Sequence, residues 1–318
     1  MPAPQVYNSS GQLTNLAKIF QEHFEKPFIN TLDRDVFLVN LFGRKAGVGH
    51  EVQWIVHYDG NTSAQFYTES DTYQQAGQQA YERARKPFKM VRVVYGATGL
   101  AIAATKGEGA LIDILAEEAK QAQEDLLAKI NLQLVSTTPS GTADEYARVA
   151  MDGLADIISD TGVYAGIDRT TATWWRSVVL SNGGTERPLT LALFQQMMAQ
   201  LDTPRRDAQV SHILTSRTHF NQYGNLLEDR RRFVNTVELD GGIKALEYMG
   251  IPVVPVRQMN TGVVYFIDKR DWNYYVLQPF VTEEIPTNTD QKLFVIKHYA
   301  QLVCKAPFRN GVITDLQP

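Results

Sequence analysis

The side chains with which this chain could do metal or nucleophilic chemistry are His23, His50, His57, His212, His219, His298 and Cys304. No pair of these histidines has the His-Glu-x-x-His spacing that sets two imidazoles on one helix face for zinc. A lone cysteine can complete neither a thiolate site nor a disulfide. His212 and His219 flank Thr215 and Ser216, where a base beside a hydroxyl would suggest acyl transfer. The Gly-x-Ser-x-Gly elbow that would expose such a nucleophile is missing. Gly107-Glu108-Gly109 stands where a phosphate loop would open a helix, but a third glycine is absent and Glu108 would repel a pyrophosphate. His298 alternates with apolar residues as a core strand histidine does, and Cys304 reads as a small buried hydrophobe. The expectation is therefore a protein with no catalytic, cofactor-binding or metal-binding residues, hence no cofactor and no enzyme activity.

Charge tells more than chemistry here. From Glu51 to Glu82 there are five acids (Glu51, Asp59, Glu69, Asp71, Glu82) and no lysine or arginine. From Arg83 to Arg92 there are five bases (Arg83, Arg85, Lys86, Lys89, Arg92) and no acid. One reading is a solvated ribbon; the other is complementarity that sets register on a neighbouring subunit. The second reading makes Glu51, Glu69, Asp71, Arg83, Arg85, Lys86, Lys89 and Arg92 candidate intersubunit contacts. The triplet Arg230-Arg231-Arg232, which follows Glu228-Asp229, is either local ion pairing at a helix end or a further such contact. It lacks the interleaved aromatics of a nucleic-acid surface. Net charge is −4 over 318 residues, which leaves no basic footprint for wrapping a polyanion. No apolar run approaches the roughly 20 residues of a membrane span, and no signal-peptide pattern opens the sequence.

The elements that must carry these residues are legible in part. Glu51 to His57 and Lys89 to Tyr95 read as the two strands of a long hairpin, with a polar connection from Tyr58 to Phe88. Connections in compact domains have a median of about 4–6 residues, and a two-armed excursion of this size reaches on the order of 60 Å. Such an arm needs a surface to lie on, and another copy of the chain is the expected one. Ahead of it, Leu13 to Phe24 and Val36 to Phe42 are apolar-periodic pieces of an extended arm. Behind it, Thr105 and Glu108 form a capping box. Leu111, Ile114, Leu115, Ala119, Ala122, Leu126, Ile130 and Leu134 then make one apolar stripe on a long helix. Further helices are predicted over Ala147–Ile158, Leu189–Leu201 and Arg217–Leu227, with a short one after Gly241-Gly242. Strands are predicted over Val210–Thr215, Ile251–Val256, Gly262–Asp268, Asn273–Leu277 and Leu293–Cys304.

This order of elements resembles the major capsid proteins of tailed bacteriophages with the Hong Kong 97-like fold. The sequence likeness runs through Ile213 to Tyr223, Leu226 to Phe233, Tyr248 to Pro255 and Tyr299 to Leu316. The resemblance implies an α+β fold with an N-terminal arm (1–48), an extended hairpin or E-loop (49–100), and a peripheral domain with a long spine helix (101–139). An axial domain (140–280), a return to the peripheral domain (281–305) and a C-terminal segment (306–318) would follow. It implies self-assembly as pentamers and hexamers into an icosahedral shell around packaged double-stranded DNA, held without sequence-specific binding. The shell would belong to the virion and assemble in the host cytoplasm. A separate scaffolding protein and a portal are expected partners, with a decoration protein a further candidate; no membrane is expected. Some relatives weld subunits by a Lys–Asn isopeptide bond promoted by a Glu; Lys86 and Lys89, with Asn273 and Asn288, are candidates that no motif pairs. The rival readings are an encapsulin-like nanocompartment shell and, more remotely, an α/β enzyme.

Overall fold

The computed structural model describes residues 37–61, 63–64, 66–72, 80–104, 114–136, 146–228, 237–238 and 244–318. The predicted helix over Leu13–Phe24, the capping box at Thr105 and Glu108, and Arg230, Arg231 and Arg232 lie outside them. The chain divides into two units. One holds Arg92–Leu126 and Thr282–Ile296; the other holds Asp35–Val91, Leu127–Val281 and Lys297–Pro318.

The larger unit is built on a seven-stranded mixed sheet in the order β7-β15-β12-β8-β11-β10-β9. The strands are β7 (Val178–Leu180), β8 (His212–Thr215), β9 (Val237–Glu238), β10 (Lys244–Tyr248), β11 (Ile251–Pro255), β12 (Val264–Ile267) and β15 (Gly311–Ile313). Ile213, Leu214, Val253, Val254 and all of β12 are buried, as continuous apolar runs require when both sheet faces are covered. The helices Leu191–Leu201 and Arg217–Glu228 contribute Phe194, Met197, Leu201 and Tyr223 to this core. Phe194 is its aromatic hub, stacked on Tyr223 at 5.4 Å and edge-on to Tyr248 at 5.2 Å and Phe266 at 5.3 Å. Met249 and Gly250 both have positive φ (51° and 83°), which closes β10 on β11 with a two-residue turn matched to strand twist.

Two expectations are corrected here. Lys244–Tyr248 is a strand, not a short helix after Gly241-Gly242. The helix predicted over Ala147–Ile158 shrinks to the single turn Leu154–Ile157. Gly153 ahead of that turn is extended, and a Cβ there would lie 2.6 Å from the Gln133 carbonyl oxygen, so chain packing overrides helical periodicity. The C-terminal segment supplies β15, which is hydrogen-bonded between β7 and β12.

A second sheet has the order β1-β13-β14-β4, from β1 (Gly43–Ala46), β13 (Trp272–Ile285), β14 (Gln291–Cys304) and β4 (Lys89–Thr98). Strand β4 was expected to be the return strand of the hairpin; it belongs to this sheet instead. The hairpin is β2 (Glu51–Asp59) paired antiparallel with β3 (Ala80–Pro87), from Glu51 opposite Pro87 to His57 opposite Tyr81. Apolar content favoured Lys89–Tyr95, but in β3 it is burial that alternates, from exposed Arg83 through buried Ala84 and exposed Arg85 to buried Lys86, because only one of its faces is covered. In the helix Ile114–Val135, Ala122, Leu126, Ile130 and Leu134 are buried at four-residue spacing, as the stripe predicts. Asn131, on the same helix, donates to Gln258 Oε1 at 2.7 Å.

Candidate assembly interface

The β2–β3 ribbon has two unlike faces because strand side chains alternate. Val52, Trp54, Ala84 and Lys86 face the body of the chain and are covered or half covered. Gln53, Ile55, His57, Tyr81, Arg83 and Arg85 are exposed on the other face. Across the strands Gln53 stands opposite Arg85, Ile55 opposite Arg83 and His57 opposite Tyr81. This outer face mixes aromatic, aliphatic and guanidinium groups, the composition enriched at the centres of protein interfaces.

The inner face is locked by a buried ion network. Lys86 is fully buried, with Nζ 2.9 Å from Asp152 Oδ2 and 4.3 Å from the centroid of the Tyr164 ring. Arg148 Nη1 reaches Asp152 Oδ1 at 2.5 Å and Asp156 Oδ1 at 3.1 Å, and the Gln301 amide also donates to Asp152. Tyr164 is held in place by the Cys304 backbone: its hydroxyl accepts from the Cys304 N–H at 2.8 Å and donates to the carbonyl at 3.0 Å. Arg169, also buried, donates to the Asp156 and Ile157 carbonyls at 3.1 and 2.6 Å. Around this root, Trp54 Nε1 donates to the Lys305 carbonyl at 3.2 Å, Lys89 donates to the Arg148 carbonyl, and Tyr58 stacks on Trp174 at 4.5 Å. Buried charges persist only when paired and hydrogen-bonded. The network therefore gives the ribbon one orientation at its base.

The candidate charged residues fall into separate groups. Lys86 and Lys89 were expected on an outward ribbon; the fold turns both inside their own chain. With Asn273 also buried, three of the four candidate cross-linking residues are enclosed in their own chain. Arg83 and Arg85 stay outside, and Arg92 on β4 is exposed. Arg83 donates to Gln53 Oε1 and has no carboxylate partner among the described residues. Arg85 uses its backbone N–H for the Ala165 carbonyl at 3.0 Å, with its guanidinium 5.5 Å from the Tyr146 ring centroid. The Glu51 carboxylate accepts from the Tyr146 hydroxyl and the Gln53 amide. The Tyr146 bond holds its pKa below the usual carboxylate range, slight burial opposes it, and Gln53, Arg85 and His50 add to the lowering. Glu69 and Asp71 are exposed in the loop beyond β2, where Asp71 Oδ2 accepts the Thr68 N–H at 2.7 Å.

The described histidines of the core are structural. The Gly262 N–H donates to His219 Nε2 at 2.7 Å, so Nδ1 carries the proton toward Gln222 Oε1 at 2.8 Å. His298 stacks on Phe280 at 4.3 Å, takes the Tyr274 hydroxyl at Nε2 at 3.0 Å, and is kept below its usual pKa by burial. Burial likewise pushes the Cys304 thiol up. The residues that sequence reasoning missed are Arg148, Asp152, Asp156, Tyr164 and Trp174. The available signal was three charged residues at four-residue spacing, Arg148, Asp152 and Asp156, inside the largely apolar run from Ala147 to Ile158.

Apolar exposure is uneven. Among the described residues, nine of the fifteen exposed large apolar side chains lie between Val48 and Leu100, including Ile55 at 74% and Tyr81 at 57% exposure. No helix among the described residues is long and apolar enough to cross a membrane.

A family model for the SU10 major capsid protein matches residues 4–317. No curated protein sequence matches significantly. Among solved structures, the capsid asymmetric unit of cyanophage A-1(L) superposes with a TM-score of 0.74 at 19% identity, covering 96% of this chain and 100% of that one. The capsid of a native GTA particle with C5 symmetry gives 0.66 at 11% identity, covering 94% and 96%. The holo-SrpI encapsulin complex from Synechococcus elongatus PCC 7942 gives 0.64 at 11%, covering 96% of each. At such identities the likeness is one of fold, and the fold is the Hong Kong 97-like capsid fold.

Proposed function

The chain belongs to the SU10 major capsid protein family, and from that premise we propose that the β2–β3 ribbon is the arm by which one copy holds the next in an icosahedral shell. As a major capsid protein of a phage it works in many copies of itself, as part of the virion. The observation that carries the proposal is the division of labour in the ribbon. A buried ion network anchors the root, while Ile55, Tyr81, Arg83 and Arg85 are left facing outward. A rigid root lets an exposed face meet a neighbour without the cost of ordering a flexible arm. Many modest contacts of this kind, repeated by symmetry, close a stable shell.

The same proposal holds pentamers and hexamers enclosing double-stranded DNA and assembly in the host cytoplasm. A separate scaffolding protein, a portal and a candidate decoration protein are its partners. It also keeps peripheral and axial roles for 101–139 and 140–280. Its test is charge reversal at Arg83 and Arg85 together. Particle yield should fall at least tenfold while the melting temperature of the unassembled subunit stays within a few degrees. Normal yield from that double variant would refute the arm. The fold-level likeness to the encapsulin supports a second reading, decided by whether purified particles hold DNA or cargo protein.

A further inference from the structure

Among the described residues, the backbone of β2 has an unfilled edge. Phe88 N–H donates to the His50 carbonyl at 3.4 Å, which makes His50 and Phe88 a hydrogen-bonded pair of the antiparallel ladder. Hydrogen-bonded and non-bonded pairs alternate. The bonded pairs are therefore Val52 with Lys86, Trp54 with Ala84 and Val56 with Glu82. The pairs between them turn their N–H and C=O groups away from the ladder. Two observations agree: Pro87, opposite Glu51, has no N–H to give, and Arg85 N–H, opposite Gln53, goes outward to the Ala165 carbonyl.

On β3 the body covers this outward edge at Arg85. On β2 the outward groups of Gln53, Ile55 and His57 find no partner among the described residues. Natural edge strands are usually protected by lysine, proline, a bulge or a covering loop. From Val52 to Tyr58 the edge carries no lysine, arginine or proline, and the ribbon's one register irregularity, between His57 and Asp59, comes at its far end. Across the ribbon, between this strand and β3, lies a shallow groove of about 490 Å³ lined by Gln53, Trp54, Ile55, Tyr81, Glu82 and Arg83. An unpaired edge with an adjoining side-chain groove is the arrangement that accepts an added strand, with the backbone giving affinity and the groove selectivity.

We infer that the free edge of β2 is completed by an extended segment of a second copy of this chain, through backbone hydrogen bonds to Gln53, Ile55 and His57. This rests on the shell reading above, in which another copy is the surface always at hand. The donor is not β2 itself. Antiparallel self-pairing centred on Ile55 would set Glu51 against Asp59 of the other copy at both ends, and like charges directly opposite destabilise a strand pair. A donor segment different from its acceptor makes the contact heterologous, and heterologous contacts repeated by rotation close rings.

The test is residue-resolved amide hydrogen exchange on the free subunit and on particles formed from the purified chain alone. In the subunit the Val52, Trp54 and Val56 amides are protected by the ladder and those of Gln53, Ile55 and His57 exchange freely. In particles these three should slow at least a hundredfold. Fast exchange there overturns the inference yet leaves side-chain contacts by Arg83 and Arg85 standing. Protection that appears only when another protein is present overturns the second copy as donor. An independent check uses Ile55→Pro, which removes an outward N–H without costing a ladder bond, against Ile55→Thr, which keeps it. The proline variant should lose assembly at least tenfold with its subunit fold intact, and the threonine variant should stay within threefold of the parent. Equal assembly by both variants overturns the inference.

Discussion

Replacing Asp152 by Asn should loosen the hairpin root far more than replacing Lys86 by Met, although the two side chains form one ion pair. Asp152→Asn leaves Lys86 buried without the carboxylate 2.9 Å away, and turns an amide donor toward an ammonium. Removing one partner of a buried pair costs about 3–5 kcal/mol. Lys86→Met is milder, because Asp152 keeps Arg148 at 2.5 Å and the Gln301 amide, and the methionine stem still packs on Tyr164. We expect about 1–2 kcal/mol for that loss, from the cation–π contact and the weakened pairing. In the double variant neither charge remains, so it should be more stable than Asp152→Asn alone. The implied coupling is about 2–3 kcal/mol, at the upper end for residues in contact. Urea unfolding of the unassembled subunit measures all four corners of the cycle. Exchange of the Val52, Trp54 and Val56 amides shows whether the loss falls on the ribbon. Single-variant effects that add to within about 0.5 kcal/mol would refute the idea that this pair locks the root.

Two other outcomes follow from the core of the larger unit. Phe194→Ala removes the ring that meets Tyr223, Tyr248 and Phe266 and should cost about 3–5 kcal/mol in subunit unfolding; a loss under about 1 kcal/mol would mean that the site collapses freely around the gap. Burial would raise the pKa of Asp268, but hydrogen bonds from the Arg270 side chain and from the Gln209 and Arg270 N–H groups outweigh it, leaving it below the ordinary 3.8. A depressed carboxylate pKa contributes stability that is fully present above about pH 4 and fades as pH falls through the folded value. The melting-temperature gap between wild type and Asp268→Asn should therefore narrow below pH 4, and a gap that stays constant to pH 2 would contradict that assignment.

Element types with strong periodicity were legible from the residues. The stripe from Ala122 to Leu134, the helix ending at Leu201, and the strands at Ile213, Val253, Phe266 and Ile296 are all where apolar spacing puts them. The resemblance to the capsid family was legible as well, since order and spacing of elements survive when contacts are unknown. Strand pairing was not legible. Lys89–Thr98 and Ala80–Pro87 both suit a β-strand, and nothing local says which one meets Glu51–Asp59. The helix forecast over Ala147–Ile158 failed because Gly153 answers to the backbone at Gln133, 20 residues earlier in the chain (153 − 133).

By itself the sequence determined that an acidic run from Glu51 to Glu82 is followed by a basic run from Arg83 to Arg92, because charge and order are properties of the chain alone. Only the tertiary structure decided which of those charges face a partner. Pairing β2 with β3 puts Lys86 on the covered face and Arg83 and Arg85 on the open one, since neighbouring strand residues point to opposite sides. The carboxylate that makes a buried lysine tolerable, Asp152, comes from 66 residues further along (152 − 86), and only folding brings it within 2.9 Å.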